Sequence, residues 1–164
     1  MTLTPKNPGT EFRSGFAALS GAPNAGKSTL LNRLVGEKIS ITSAKPQTTR
    51  NRIAGIVHAS NAQMILIDTP GIHSSTRIFN RQIVELAMAA MEEADLVLVI
   101  ADAAHPDEKA ESLIVEKLQH LRDKPALLAL NKVDLIEKTA LLSQIDTWAG
   151  RHPFSEIIPI SAKK

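Results

Sequence analysis

The feature that most constrains the fold of this chain is a set of short apolar runs that are continuous rather than alternating. The segments LVLVIA at 96–101 and ALLAL at 126–130 are apolar at every position. Such strands are buried on both faces, as in a mostly parallel sheet that helices cover on each side. The helical spacing of apolar residues in the intervening segments supports the same arrangement. The sequence therefore predicts an α/β fold.

Six strands and four helices are predicted along the chain. The strands are expected at 16–20, 52–59, 63–70, 95–102, 125–132 and 156–161, and the helices at 28–36, 79–93, 107–121 and 139–149. The second and third strands would form a hairpin around Ser60 and Asn61, and 37–51 would be a long exposed loop. The first helix would carry its apolar residues on one face and end at Gly36. That face consists of Leu30, Leu31, Leu34 and Val35.

Length and composition predict one domain without a membrane span. A chain of 164 residues with 43% hydrophobic residues can bury one core, and its longest strongly apolar run is far shorter than a transmembrane helix. We expect 1–11 to be a flexible arm and 12–164 to be a domain that is truncated before a final helix.

The sequence has no cysteine, which excludes disulfides and fits a cytoplasmic location. The formal charge of +2, without a basic cluster, does not indicate nucleic-acid binding by this segment.

A phosphate-binding loop is predicted at GAPNAGKST, residues 21–29. Its glycines, lysine and serine match the pattern GxxxxGK[ST], and it lies between a predicted strand and a predicted helix. Backbone N–H groups would surround the α- and β-phosphates, Lys27 would reach the β- and γ-phosphates, and Ser28 would ligate Mg2+. The loop residues assigned to the nucleotide are Gly21, Asn24, Ala25, Gly26, Lys27, Ser28 and Thr29. A glycine-rich turn that precedes a helix by chance is the alternative.

A carboxylate follows the apolar segment QMILI in the sequence DTPG, residues 68–71. At the carboxyl end of a strand in a parallel sheet, this residue would lie beside the phosphate loop. Asp68 would hold Mg2+ through a water molecule, and the Gly71 N–H would contact the γ-phosphate. DTPG alone is an ordinary turn sequence. It predicts contacts with Mg2+ and the γ-phosphate only because it follows a phosphate loop.

Two further loops predict recognition of guanine. NKVD at 131–134 ends one predicted strand, and SAK at 161–163 ends the next. The Asp134 carboxylate only accepts hydrogen bonds, so it suits the N1–H and 2-amino donors of guanine and does not suit adenine. Asn131 would bridge the loops, Lys132 would lay its stem along the base, and Ala162 N–H would donate to guanine O6. The assigned residues are Asn131, Lys132, Asp134, Ser161, Ala162 and Lys163.

In this order and spacing, the phosphate loop, DTPG, NKVD and SAK resemble the G domains of translation-factor-related GTPases. The segments GAPNAGKSTLLNRLVGEKISITSAKPQTTRNRIAGI and IDTPGIH narrow the resemblance to the Era-type GTPases of the TrmE-Era-EngA-like family. This resemblance implies a Ras-like P-loop NTPase fold with a six-stranded sheet, and a GTP/GDP switch. It also implies a C-terminal KH domain, beyond this sequence, that binds 16S rRNA of the small (30S) ribosomal subunit, and it allows peripheral membrane association.

Slow hydrolysis is expected because Ile72 follows Gly71, where Ras-type enzymes carry the glutamine that orients water. In the Era and MnmE group, an asparagine at the position of Asn24 is associated with a potassium ion beside the β/γ bridge, which implies stimulation by K+. An Asx-type cap by Asn24 is the alternative. In the GTP state, one threonine of the loop at 37–51 would cap Mg2+ and the γ-phosphate; we favour Thr49, and Thr48 is the alternative. The predicted catalytic residues are Lys27, Thr49, Gly71 and Asn24.

Two other interpretations are compatible with the phosphate loop. A P-loop metabolite kinase would transfer the γ-phosphate to a small acceptor, but it gives no reason for NKVD and SAK. The G domain of a Der-like GTPase, or of an MnmE-like GTPase within a tRNA-modifying enzyme, would share the general pattern.

Overall fold

The computed structural model describes residues 12–36, 53–69, 78–121 and 123–164. The strands in these ranges are β1 (Arg13–Gly21), β2 (Ile53–Ala59), β3 (Ala62–Asp68), β4 (Leu96–Asp102), β5 (Ala126–Asn131) and β6 (Glu156–Pro159). The helices are α1 (Lys27–Val35), α2 (Ile78–Glu93), α3 (Glu108–Gln119) and α4 (Lys138–Arg151), and a 3-10 turn (Val133–Leu135) follows β5. The arm predicted at 1–11 and the loop predicted at 37–51 lie outside the described residues.

The described strands form one six-stranded sheet in the order β2-β3-β1-β4-β5-β6. All neighbouring pairs are parallel except β2 and β3, which are antiparallel and turn at Ser60 and Asn61. The predicted hairpin and the predicted mostly parallel sheet are therefore confirmed. The carboxyl ends of β1, β3, β4, β5 and β6 all lie at the same edge of the sheet.

Helices bury both faces of the sheet. Within β1, Ala18 packs into a core with residues of α2, α3 and α4, whereas Leu19 packs into a second core with α1. Successive residues of a strand point to opposite faces, so a strand buried on both faces must be apolar throughout. The largest of the fully buried side chains in these two cores are Leu19, Leu66, Met91, Ile100, Ile114, Leu118, Leu128 and Leu130.

Single residues explain where α1 ends and where α3 begins. Gly36 ends α1 in a left-handed conformation with φ 75°, as the sequence predicts. At the start of α3, the Asp107 carboxylate accepts a hydrogen bond from Ala110 N–H at 3.0 Å. On the apolar face of α1, Leu30 and Leu31 are buried, whereas Leu34 is 37% exposed.

The first strand begins earlier than predicted. Arg13, Ser14 and Gly15 pair with β3 ahead of the apolar run that starts at Phe16. Their side-chain positions are exposed or half-buried, so hydrophobicity gives no signal for this part of the strand. Within the described ranges, the helices are too short or too polar to cross a membrane.

Candidate nucleotide-binding site

The loop between β1 and α1 directs the N-terminus of α1 into a cavity. Gly26 lies at the N-cap with φ 102°, and Leu30 N–H donates to Gly26 O at 2.9 Å. The N–H groups of the first turn precede this bond and have no partner within the helix. The helix dipole adds a positive potential at the same place, so this turn is suited to an anion.

Close contacts explain why two positions of the loop are glycine. A Cβ on Gly21 would lie 2.4 Å from the carbonyl oxygen of Ile100 on β4, and a Cβ on Gly26 would lie 2.2 Å from Asn131 Nδ2. Both distances are far inside van der Waals contact. Gly26 also has a positive φ that disfavours other residues. The loop can therefore lie this close to β4 and β5 only with glycine at both positions.

The Lys27 side chain folds back over the loop. Its ammonium donates to the carbonyl oxygens of Gly21 at 3.0 Å and Ala22 at 2.8 Å. These bonds hold a cation at the wall of the cavity, next to the N-terminus of α1. Together the cation and the N–H groups at the start of α1 favour a bound phosphate.

Three more residues of the loop face the same cavity. Asn24, Ser28 and Thr29 are exposed and line it. Asn24 has φ 61°, which is uncommon outside glycine but tolerated by asparagine. Its side chain makes no hydrogen bond to the described residues, so the Asx-type cap considered from the sequence is not formed within them.

Asn131 joins the phosphate loop to the loop after β6. This side chain is 2% exposed. Its Nδ2 donates to the carbonyl oxygen of Ala25 at 2.8 Å, and its Oδ1 accepts from Ala162 N–H at 2.9 Å. A buried amide with both ends bonded fixes the distance between two loops that lie far apart in sequence.

The hydrogen bond made by Ala162 N–H differs from the one predicted from the sequence. The sequence assigns Ala162 N–H to guanine O6, but in the structure this N–H donates to Asn131 Oδ1. Ala162 is buried, whereas the next residue, Lys163, is exposed and lines the cavity. The Ala162 N–H is therefore turned toward the bridge that Asn131 makes between the loops.

Asp134 places a carboxylate in the cavity. It lies in the 3-10 turn that follows Lys132, whose φ of 65° starts the turn. The neighbouring Ser161 hydroxyl lowers the pKa of Asp134, and the Lys164 ammonium, 3.6 Å away, contributes in the same direction. Asp134 is thus held as an ionised acceptor at neutral pH.

The end of β3 lies beside the phosphate loop. Asp68 pairs with Leu19 of β1, and the buried Thr69 hydroxyl donates to the carbonyl oxygen of Leu19. This bond ties the start of DTPG to the strand that leads into the loop. The Asp68 side chain, Gly71 and Thr49 lie outside the described residues.

A single cavity of about 650 Å³ connects these groups. It is lined by Asn24, Gly26, Lys27, Ser28, Thr29, Asn131, Lys132, Asp134, Leu135, Ser161, Ala162 and Lys163. The volume is in the range of cavities that hold small molecules and cofactors. Gly21 and Ala25 contribute through their carbonyl oxygens, which fix Lys27 and Asn131.

Sequence reasoning missed two residues of this region. Leu135 is 61% exposed and lines the cavity; an apolar residue directly after NKVD was the available signal. Asp102 ends β4 and bonds the Lys132 ammonium. It is a carboxylate at the carboxyl end of a parallel strand, which is the same signal that singled out Asp68.

Comparison with known proteins identifies the family. A family model described as 50S ribosome-binding GTPase matches residues 16–132. The chain is 49% identical over 152 residues to GTPase Era of Geotalea uraniireducens, and 52% identical over 151 residues to GTPase Era of Geobacter metallireducens. These alignments cover 93% and 92% of this chain but 51% and 50% of the relatives, so the chain spans about half their length.

Solved structures give the same result. The crystal structure of Era in complex with MgGDPNP and nucleotides 1506–1542 of 16S ribosomal RNA superposes with a TM-score of 0.75 at 39% identity, over 93% of this chain and 52% of that one. A variant of Aquifex aeolicus Era bound to GDP·AlF4− gives a TM-score of 0.72 at 38% identity, over 91% of this chain and 51% of that one. These matches confirm the Ras-like P-loop fold. The chain belongs to the 50S ribosome-binding GTPase family, and its G domain is of the Era type.

Proposed function

We propose that this chain binds a guanine nucleotide in the 650 Å³ cavity and hydrolyses GTP, acting as a molecular switch that resembles Era. The observation that carries the proposal is the bridge made by Asn131. It holds the anion-binding turn of α1 and the carboxylate-bearing loop after β5 as two ends of one cavity. Residues 12–164 act in this proposal as the G domain of a longer protein.

The phosphate end would be held by main-chain N–H groups and Lys27. The N–H groups of residues 24–29 and the Lys27 ammonium would contact the phosphate chain. The Ser28 hydroxyl lies at the cavity in the first turn of α1 and fits a Mg2+ ligand, with Asp68 and Thr49 as the other protein groups. Mg2+ would neutralise charge that develops on the phosphate oxygens.

The base end would select guanine through Asp134. Its carboxylate would accept from N1–H and the 2-amino group, and the stem of Lys132 would lie along the base plane. Ala162 N–H already donates to Asn131. We therefore assign the hydrogen bond with guanine O6 to the N–H of the next residue, Lys163. The Ser161 hydroxyl lowers the pKa of Asp134, which is the direction that favours the ionised acceptor.

Catalysis would depend on groups other than a glutamine. Ile72 cannot orient water, so the Gly71 N–H, Thr49 and Lys27 would stabilise the charge of the transition state as water displaces GDP from the γ-phosphate. Asn24 lies at the cavity, and we propose that it helps to bind a K+ ion. Faster turnover in KCl than in NaCl, abolished by Asn24→Ala, is the expected result; equal rates in both salts would contradict it.

The cellular role follows from the relatives. The structure of Era with nucleotides of 16S ribosomal RNA supports rRNA binding by the longer protein. We propose that it acts in assembly of the 30S subunit, in the cytoplasm. The RNA contacts would come from the part of the protein that lies outside this chain. The Era relatives favour this proposal over a Der-like or MnmE-like GTPase and over a metabolite kinase.

A change of base preference tests the proposal. Asp134→Asn should weaken GTP binding by about a hundredfold or more, because an amide cannot accept both guanine donors. The same variant should gain affinity for XTP, whose 2-oxo group can accept from the new amide. Asp123→Asn, an exposed carboxylate that does not line the cavity, is the matched control. Unchanged GTP affinity in the Asp134 variant would refute the assignment of the base.

A further inference from the structure

Asp102 is a buried carboxylate directly behind the base end of the cavity. It is the last residue of β4 and is 8% exposed. Its Oδ1 accepts from the N–H groups of Ala104 and His105, both at 3.0 Å, and its Oδ2 accepts from the Lys132 ammonium at 2.5 Å. Three donors converge on the carboxylate, so its position is fixed.

The backbone around Asp102 is tied to the loop that carries Lys132. Asp102 pairs with Asn131 across β4 and β5, and Ala103 N–H donates to the carbonyl oxygen of Asn131 at 2.8 Å. Gln144 of α4 donates to the carbonyl oxygen of Ala103 at 2.8 Å. The segment after β4 is therefore fixed against the loop that carries Lys132, through both backbone and side-chain hydrogen bonds.

The orientation of the Lys132 side chain depends on its bond to Asp102. Its side chain is long and flexible, and it leaves a backbone with φ 65° at the wall of the cavity. The bond to Asp102 restricts the ammonium to one place, so the apolar stem is held in one orientation. Without that bond, the ammonium would be drawn to Asp134, which lines the same cavity.

We propose that Asp102 is a positioning residue for guanine recognition, which holds Lys132 against the base plane and keeps its charge away from Asp134. This inference rests on the proposed function and deepens it. Asp102 does not contact the nucleotide. It acts through Lys132, so its effect on affinity exists only while Lys132 carries an ammonium.

Asp102→Asn is the appropriate variant. An asparagine keeps an oxygen that can accept from Ala104 and His105 N–H, but it removes the charge that attracts Lys132. The dissociation constant of GDP, measured by titration calorimetry, should rise about tenfold, the effect of losing one charge-assisted contact. Glu111→Gln is the matched control, because Glu111 is also a buried carboxylate paired with a cation, Arg151, at 3.0 Å, and it does not line the cavity.

A double-mutant cycle separates positioning from a merely structural effect. Lys132→Met keeps an unbranched apolar stem and removes the ammonium. In that background, Asp102→Asn should change the GDP dissociation constant less than about twofold. A tenfold effect that persists in the Lys132→Met background, or an Asp102→Asn variant that binds GDP as the wild type does, would overturn the inference alone. A wild-type chain that binds no GDP would overturn the proposed function together with it.

Discussion

Gly26 provides the sharpest test of how the two ends of the cavity are joined. In Gly26→Ala, the new Cβ would lie 2.2 Å from Asn131 Nδ2, so the amide has to move by about 1 Å to reach ordinary contact. The bonds of this amide to Ala25 O and Ala162 N–H are 2.8 and 2.9 Å long. Such a displacement takes both beyond hydrogen-bond range.

The cost of Gly26→Ala follows from these contacts. A non-glycine residue with a left-handed φ costs about 1 kcal/mol, and each buried hydrogen bond lost costs about another 1–2 kcal/mol. The free energy of unfolding should therefore fall by about 3–5 kcal/mol. With an m-value of about 2 kcal/mol/M in urea, the midpoint shifts by about 2 M.

Gly36→Ala is the control that isolates backbone strain. Gly36 also has a positive φ, 75°, but a Cβ at this position would meet no described residue within 4 Å. Its expected cost is about 1 kcal/mol. Urea unfolding followed by the fluorescence of Trp148, the single tryptophan and 4% exposed, measures both variants without nucleotide. Equal midpoints for Gly26→Ala and Gly36→Ala would refute the role given to the contact between Gly26 and Asn131.

Three other predictions concern phosphate binding, pH and helix capping. Lys27→Met should weaken GDP binding at least about tenfold in calorimetry, because it removes the cation beside the phosphates; an unchanged dissociation constant would contradict this. Burial lowers the pKa of His152, so the unfolded chain binds its proton more readily and stability should fall as pH drops below about 6.5; His152→Gln should flatten that part of the urea-midpoint profile. Asp107→Ala removes the cap of α3 and should cost about 1 kcal/mol in urea unfolding, whereas Asp123→Ala should cost little.

The sequence was sufficient for the fold because its signals are local. Continuous apolar runs such as 96–101 identify strands buried on both faces, and the turn at Ser60 and Asn61 marks the antiparallel pair. Parallel strands bring their carboxyl ends to one edge, so the phosphate loop and NKVD were expected to lie near each other. The exposed start of β1 was missed because its side chains carry no hydrophobic signal.

The contacts within the site were less predictable because they join residues distant in sequence. The bond from Ala162 N–H to Asn131 Oδ1 could not be distinguished, in the sequence, from a donor free for guanine. The pairing of Asp102 with Lys132 likewise depends on the register of β4 and β5, which no short motif records. The spacing of the motifs predicted which residues lie together in the site. It did not predict which of their donors and acceptors bond to each other rather than to the nucleotide.

Calorimetric titration of this chain with GDP, followed by competition with ADP, tests guanine binding most directly. We predict one GDP bound per chain, with no displacement by a hundredfold excess of ADP, because Asp134 offers only an acceptor to the base. The absence of heat on addition of GDP, or full displacement by ADP, would contradict guanine recognition by the loops that Asn131 joins.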